Sequence, residues 1–473
     1  MNAPFDRRQF LVRGSRSLFS LGLLSSPWLG LASAFADGTA SATPASADAH
    51  FFLQILTPPT SGADCSYLFD ARPLAMTQAG KLQNYLGVEP QAWTGSNGQS
   101  TWATSLVDPL APYRDRFSIL NGVHMATGFD GHDQNMNFLL TGNPFGGECF
   151  IPHLNRLAPG ATTPLDALQK GNITALLKNT GSSVPLTAAS ALNLVNRLRA
   201  LQPLDPSSKL LQFIDSRMAA NSQGASRFEL GASAMRSALA EAPALGDQLR
   251  QVQLDPTVQD DFPGFVSLMS QAFRIGASRS AIIVVALDDN DTFDTHDVDS
   301  ARLQPRAFKN YVSKLAQIFK LLADTPFDGT RSLWDVTTVM VASEFSRSMR
   351  QSGKPIDQTG TDHNPLNNSI LIGGKGIKPG LVIGESDYRT PTETLSGAHR
   401  SMGSADSRLM GRPFDFQTLL PRADLPAGYQ ASDYLTVHSL VNTLYKRFGV
   451  PASAYRTLSR GGPAAATLDG LLT

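Results

Sequence analysis

Acidic and imidazole side chains lie beside two predicted strands in the second half of the sequence. Asp294 and His296 follow an apolar run at 281–287, and His363 comes shortly before another apolar run at 369–372. Carboxylate oxygens and neutral imidazole nitrogens are ligands that Zn²⁺, Mn²⁺ and Fe ions take in proteins. The pattern therefore predicts a divalent metal site, and such an ion polarises a phosphoryl or sulfuryl oxygen.

Two further candidates, Glu344 and Arg347, follow a third apolar run at 336–342. Glu344 is a candidate metal ligand or general base. Arg347 is a candidate clamp for an anionic substrate, because a guanidinium binds two oxygens at once. A salt bridge to Glu344 is the structural alternative for Arg347. The other acidic residues near the first of these loops are expected to cap helices or face solvent: Asp288, Asp289, Asp297 and Asp299.

The elements that must position these side chains alternate between strands and helices. Two earlier strands are predicted at 51–56 and 117–120, where apolar runs end at turn-forming residues. The near-continuous apolar strands are typical of a parallel sheet that is covered on both faces. Helical periodicity occurs at three places, the last with Asp433 as its predicted N-cap: 265–275, 305–323 and 434–448. We predict a doubly wound, mostly parallel α/β fold, with its site at the carboxyl ends of the strands.

The N-terminal residues are typical of a targeting segment. An arginine pair at 7–8 precedes an interrupted apolar run at 18–31, and residues 34–36 form a small-x-small cleavage site. The run is too short to span a membrane. The arginine pair resembles a bacterial twin-arginine signal; an ordinary secretory signal is the alternative. We predict that the mature chain is periplasmic or secreted and has no membrane span.

The middle of the chain differs from its flanks, since it is rich in Ala, Leu and Ser and has no predicted strand. The predicted organisation is a signal peptide at 1–36, a flexible tether at 37–49, a first part of the α/β domain at 50–164, a helical insertion at 165–254 and a second part of the α/β domain at 255–473.

The composition excludes several classes of protein. The 473 residues carry 40 basic and 40 acidic side chains, whereas nucleic-acid binders usually present a basic face. Two cysteines exclude disulfide scaffolds and multi-cysteine zinc or iron–sulfur sites. Cys65 and Cys149 either pair in an oxidising compartment or remain two buried thiols.

Several motifs together resemble a large bacterial family of exported proteins of unknown function, related to the alkaline phosphatase and sulfatase superfamily. The resemblance covers most of residues 50–450. It rests on the leader and on five motifs: Leu-Leu-Thr-Gly at 139–142, Phe-Asp-Thr-His at 293–296, Ser-Glu-Phe-Ser-Arg at 343–347, Asp-His-Asn-Pro at 362–365 and Gly-Gly-Lys-Gly-Ile-Lys-Pro-Gly-Leu-Val-Ile-Gly at 373–384.

This resemblance implies an alkaline-phosphatase-like fold and a centre of one or two divalent metal ions (Zn, Mn or Fe). His363 matches the superfamily's last histidine ligand, and Asp294 (or Asp291) with His296 matches the pair that shares its metal. Phe345 stands where a histidine serves the second metal, and phenylalanine has no atom that can bind a metal ion. The aspartate after the first strand is expected near Asp64 or Asp70, and Asp64 is the candidate ligand.

The same resemblance draws attention to His132. In sulfatases the nucleophile lies nine residues before the threonine matched by Thr141, and that position holds His132. Formylglycine chemistry is therefore excluded if the register holds. His132 is a candidate nucleophile, general acid or base, or metal ligand, with a structural imidazole as the alternative. His124 is a candidate to join it.

Two hypotheses follow from these observations. The first is an exported metal-dependent hydrolase or transferase that acts on a phosphate or sulfate ester, carried by an anionic small molecule or a polysaccharide. In it Asp294, His296 and His363 hold the metal, and Arg347 clamps the anion. The second is a non-catalytic binding or assembly protein that keeps the same scaffold.

Overall fold

The structure is a computed structural model of the whole chain. Its described residues are 49–57, 68–69, 90–125, 129, 131–159, 167–171, 261–274, 276, 278–288, 291–348, 361–389, 408–424, 429–459 and 461–473.

A seven-stranded sheet forms the centre of the part of the chain that the structure describes. Its strands are β1 (Phe51–Leu56), β2 (Phe117–Leu120), β3 (Leu168–Lys170), β4 (Ser280–Val284), β5 (Thr337–Ala342), β6 (Ile370–Gly374) and β7 (Val382–Ile383). The spatial order is β7–β2–β6–β5–β1–β4–β3. All strands run parallel except β6, which is antiparallel to both of its neighbours. The prediction of a mostly parallel sheet is confirmed.

Helices of the described residues cover both faces of this sheet. They are α1 (His132–Thr141), α2 (Phe150–Leu157), α3 (Phe262–Arg274), α4 (Val298–Asp324), α5 (Leu333–Val336) and α6 (Val437–Arg447). Successive side chains of a strand point to opposite faces. Phe51, Leu53 and Ile55 therefore pack in one core with α3, α4 and α5, whereas Phe52 and Leu56 pack in a second core with α1, α2 and α6.

Smaller elements surround the sheet in the described part of the chain. The two-stranded pairs are Pro90–Thr94 with Ser100–Thr104, Ser346–Ser348 with Asp362–Asn364, Ser386–Arg389 with Arg408–Gly411, and Phe414–Asp415 with Leu420–Pro421. The 3₁₀ segments are Ser105–Arg116, Ala431–Asp433, Ala452–Ala454 and Asp469–Leu471. Among the described residues, no helix combines the length and the apolar character needed to cross a membrane.

All three predicted helix starts differ from the structure. α3 begins at Phe262, three residues before its predicted start. α4 begins at Val298 because the Asp297 side chain accepts hydrogen bonds from two backbone N–H groups of its first turn, so Pro305 lies inside the helix. α6 begins at Val437, where Thr436 is the N-cap and accepts from Ser439 N. The predicted cap, Asp433, instead ends a 3₁₀ segment.

The strand β3 lies within the segment 165–254 that we predicted to contain no strand. It pairs in parallel with β4 at the edge of the sheet. Three residues are too few to produce a recognisable alternation of polar and apolar side chains. The rest of the predicted insertion, from residue 172 onward, lies outside the described residues, as do the signal peptide, almost all of the tether, Asp64 and Cys65. Cys149 is buried.

The direction of β6 decides where the preceding residues lie. Because β6 is antiparallel to β5 and β2, its amino end lies at the edge of the sheet where the other strands have their carboxyl ends. The loops after β2, β4 and β5 leave the sheet at this same edge. Residues before β6 and residues after three parallel strands therefore meet there.

Candidate metal centre

Four side chains converge at this edge of the sheet, and we call them the His₃Asp cluster: His132, Asp294, His296 and His363. Each offers one ligand atom, and these atoms all lie within 4.8 Å of one another. His132 is the first residue of α1, Asp294 and His296 lie between β4 and α4, and His363 lies in the short strand before β6. The structure brings together the three metal ligands predicted from the loops and His132.

The spacing of the four atoms suits a single ion. Asp294 Oδ1 lies 2.9 Å from His296 Nε2, 3.3 Å from His132 Nε2 and 3.6 Å from His363 Nε2. His296 Nε2 lies 3.0 Å from His363 Nε2. A tetrahedral ion with bonds of about 2.0–2.1 Å separates its ligand atoms by about 3.3 Å. These four distances, from 2.9 to 3.6 Å, bracket that value.

The cluster is enclosed on one side and open on the other. The side chains of His132 and His363 are only 15% and 16% exposed, whereas Asp294 and His296 are 35% and 39% exposed. The ring of the buried Phe345 packs against His132 and His363, with centroid distances of 5.0 and 4.7 Å. An ion in the cluster would therefore have an apolar wall behind it and solvent access on the side of Asp294 and His296.

Glu344 supports His132 from behind. Its side chain is fully buried, and its Oε1 is hydrogen-bonded to His132 Nδ1. A carboxylate on one ring nitrogen fixes the tautomer and the orientation of an imidazole whose other nitrogen binds a metal. The sequence made Glu344 a candidate metal ligand or general base, and in the structure its carboxylate contacts His132. Glu344 acts on the cluster through His132.

The carboxylates determine the protonation of the metal-free cluster. Burial by itself lowers the pKa of His132, but hydrogen bonds to Asp294 and Glu344 outweigh it and raise the pKa to about 9. Burial raises the pKa of Asp294, yet hydrogen bonds from His132 and His363 and the charge of Arg347 hold it well below its usual range. For His296, burial and then Arg347 lower the pKa. At neutral pH the metal-free His132 is therefore protonated, and its positive charge balances the carboxylates of Asp294 and Glu344. A bound cation would take over this role and displace the proton.

The formal charges around the cluster match a divalent cation. Asp294 and Glu344 each carry one negative charge, and Asp362 adds a third, with its Oδ1 3.8 Å from His296 Nδ1. The Arg347 guanidinium contributes one positive charge. With neutral imidazoles, three negative charges and one positive charge leave −2.

Arg347 lies beneath the cluster and is 0% exposed. Its Nη2 is 3.0 Å from Asp294 Oδ1, and its Nε donates to Thr361 Oγ1 at 2.6 Å. From the sequence we expected Arg347 to clamp an anion or to form a salt bridge with Glu344. In the structure its acidic partner is Asp294.

Other candidates lie elsewhere. Asp291, the alternative to Asp294, binds Arg306 and Asn310. The buried ring of His124 contacts Tyr429 and the carbonyl of Gly411 rather than the cluster. The four acidic residues expected to be structural are accounted for where the structure describes them: Asp297 caps α4, Asp288 pairs with Lys314 and Asp299 with Arg302, and Asp289 lies outside the described residues.

Sequence inspection missed the hydroxyl groups beneath the cluster. Thr295 and Thr361 are fully buried, and their hydroxyls lie 2.8 Å apart. Threonine is common in loops, so its type gives little indication of a role. The informative feature is position, because Thr295 stands between Asp294 and His296 and Thr361 stands two residues before His363.

The fold and the cluster together define a mixed α/β protein with a candidate single-metal centre at the carboxyl edge of its sheet. Residues 168–402 match the model of a family described as "Protein of unknown function (DUF1501)". The matched segment contains Asp294, His296, Glu344, Arg347 and His363, and His132 precedes it. No curated protein matches the sequence.

Proposed function

We propose that this protein is an exported metal-dependent hydrolase or transferase that acts on a phosphate or sulfate ester. The observation that carries the proposal is the convergence of three imidazoles and one carboxylate at distances that suit one ion. A divalent ion held there would supply Lewis-acid polarisation of a phosphoryl or sulfuryl oxygen. The open side of the cluster, next to Asp294 and His296, is where such an oxygen would approach.

The charge of the site supports an order of binding. Without a cation, the three carboxylates still outnumber the two positive groups, the guanidinium of Arg347 and the protonated imidazole of His132, so the cluster repels an anion. A cation reverses this local field. We therefore expect inorganic phosphate or sulfate to bind only after the metal does, and the same should hold for their esters.

The surroundings of the cluster support one ion rather than two. Within the described residues, the His₃Asp cluster is the one group of histidine, cysteine or acidic side chains that could hold a metal. Phe345, which stands where the superfamily has a ligand of a second metal, is fully buried against His132 and His363. The location at the carboxyl edge of a mostly parallel sheet agrees with an alkaline-phosphatase-like ancestry.

The first experiment is elemental analysis of the purified protein beside the double variant His296→Ala/His363→Ala. We expect about one equivalent of Zn, Mn or Fe in the wild type and almost none in the variant. Both proteins are then tested on a panel of phosphate and sulfate esters, with circular dichroism as the check on folding. A folded wild type without metal, or equal ester turnover by the two proteins, would contradict the proposal. Bound metal without turnover would favour a binding protein.

Export requires a separate test because it rests on the leader alone. The arginine pair at 7–8 is replaced by lysines, and the cells are fractionated. We expect the wild type in the periplasm or medium and the uncleaved variant in the cytoplasm. Equal export of both proteins would favour an ordinary secretory signal.

A further inference from the structure

Arg347 has a position that an anion clamp could not use. Its side chain is 0% exposed, so a dissolved anion does not reach the guanidinium while the cluster keeps this arrangement. Burying a guanidinium is unfavourable unless charged or polar groups compensate for the lost water. Here the compensating groups include Asp294 Oδ1 at 3.0 Å and Thr361 Oγ1 at 2.6 Å.

The same residue joins two segments that carry ligands. The backbone of Arg347 pairs directly with His363 in the two-stranded element of Ser346–Ser348 and Asp362–Asn364. Its side chain reaches across to Asp294 in the loop after β4. One residue therefore contacts a ligand of each segment, through its backbone on one side and its guanidinium on the other.

A buried network of hydroxyl groups continues this connection. Thr361 N donates to Thr295 O at 2.6 Å, and the two threonine hydroxyls lie 2.8 Å apart. Gln304, from α4, donates to Thr295 Oγ1 at 2.7 Å. Thr295, Gln304, Arg347 and Thr361 are all 0% exposed. Thr295 separates two cluster residues in sequence, so the network holds the loop of Asp294 and His296 against the segment of His363.

We propose that Arg347 is a positioning residue of the metal centre: with Thr361 and Thr295 it fixes Asp294 and aligns the two ligand-bearing segments, and it does not bind the substrate. The inference rests on the proposed metal site and deepens it. Recognition of an anionic substrate then depends on the cation and on groups at the open side of the cluster rather than on this guanidinium.

The test separates geometry from charge with matched variants of the full chain. Arg347→Lys keeps the positive charge but loses the planar fork that makes two contacts. Thr361→Val removes the hydroxyl that accepts from Arg347, and Thr361→Ser restores it. Arg456→Lys is the control, because Arg456 is a largely buried guanidinium that binds the carbonyls of Leu139 and Leu140 instead.

Zn²⁺ is the probe, and its dissociation constant is measured by competition with a chelator. Since changes in groups that support metal ligands typically weaken metal binding about 10–100-fold, we expect losses in this range for Arg347→Lys and Thr361→Val. Thr361→Ser and Arg456→Lys should remain within about threefold of the wild type. If Arg347→Lys fails to fold, the difference in Zn²⁺ affinity between Thr361→Val and Thr361→Ser tests the inference instead.

Inorganic phosphate then distinguishes positioning from clamping. Its dissociation constant is measured by calorimetry on protein saturated with Zn²⁺, and we expect Arg347→Lys to change it less than about threefold. Wild-type Zn²⁺ affinity in Arg347→Lys, together with phosphate binding weakened tenfold or more, would overturn the inference and leave the proposed function intact. Absence of Zn²⁺ binding by the wild type would overturn both.

Discussion

Two histidines near opposite ends of α1 have opposite electrostatic surroundings: His132, its first residue, and His438, which belongs to α6. At the amino end, Asp294 and Glu344 outweigh the effect of burial and raise the pKa of His132 to about 9. Near the other end, the ring of Phe138 lies 4.5 Å from the ring of His438. There burial and the charge of Arg456 lower the pKa of His438 to about 3.

Burial alone does not explain this difference, because both rings are largely withdrawn from solvent. The neighbours do. Arg456 donates to the carbonyls of Leu139 and Leu140 at the carboxyl end of α1, where a cation is favoured by the helix dipole. An imidazolium at the amino end is disfavoured by the same dipole, so the two carboxylates must overcome it. A histidine among carboxylates can exchange a proton for a metal ion, whereas a histidine beside a guanidinium stays neutral.

The largest expected effect is the loss of metal affinity when the ligand His132 is itself replaced. His132→Ala removes one of four donors, and His438→Leu removes a more deeply buried ring outside the cluster. Because loss of a supporting group already costs about 10–100-fold in metal affinity, loss of a ligand should cost about 100-fold or more. Metal retained after dialysis against a weak chelator should fall from about one equivalent to almost none in His132→Ala alone. Equal retention by the two variants would remove His132 from the centre.

The second prediction concerns the carboxylate behind the ligand. Glu344→Gln keeps a hydrogen-bond acceptor for His132 but removes the buried charge, so metal affinity should fall about 10–100-fold. The pKa of His132 in the metal-free protein should fall as well. Both are measurable, by chelator competition and by NMR titration of the imidazole.

A matched control exists on the surface. Glu148 is hydrogen-bonded to His153, but these side chains are 38% and 28% exposed and lie outside the cluster. Glu148→Gln should leave metal affinity unchanged. If the two glutamine variants lose metal to the same extent, the support from Glu344 is not specific to His132.

The third prediction concerns the neutral histidine. Because the pKa of His438 is about 3 in the folded chain and 6.5 as its ordinary value, its neutral form stabilises the fold above pH 6.5. This contribution is lost as the pH falls from 6.5 toward 3, by about 2 kcal/mol at pH 5.

His438→Leu should lose less free energy of unfolding than the wild type between pH 7.5 and pH 5, as measured by urea denaturation in EDTA. His50, whose pKa is also lowered to about 3, keeps its own pH dependence in both proteins. Parallel curves would contradict the pKa of His438.

The cluster could be predicted from the sequence to the extent that it depends on strand ends. Apolar runs marked the carboxyl ends of β4 and β5. Asp294 and His296 lie in the loop after β4, and Glu344 lies two residues after β5. His363 precedes its strand, and it reaches the same edge only because β6 is antiparallel. The direction of a strand depends on its neighbours in the sheet rather than on its own residues. The convergence was therefore predictable from residue types, but the topology that produces it was not.

The contacts within the site were less accessible to sequence analysis. Arg347 and Glu344 stand three residues apart, which suggested a salt bridge between them, but the chain turns so that Glu344 meets His132 and Arg347 meets Asp294. These partners are 212 and 53 residues away in sequence. Local spacing predicts which residue types reach an edge of the sheet, whereas long-range packing decides which of them touch.

The smallest expected effect is a change in the free energy of unfolding at Asp297, which shares a loop with Asp294 but has a different role. Asp294 belongs to the cluster, whereas Asp297 caps α4 by accepting from the N–H groups of Asp299 and Ser300 at 3.0 and 2.8 Å. Asp297→Ala should lower the free energy of unfolding by about 1 kcal/mol, as loss of an N-cap usually does, and Asp297→Asn should recover most of it. Metal content should stay at the wild-type level in both variants, because the Asp297 side chain is bonded to the first turn of α4 and is not one of the four cluster side chains. If Asp297→Ala instead releases the metal while Asp297→Asn retains it, the start of α4 is itself part of what holds Asp294 and His296 in place.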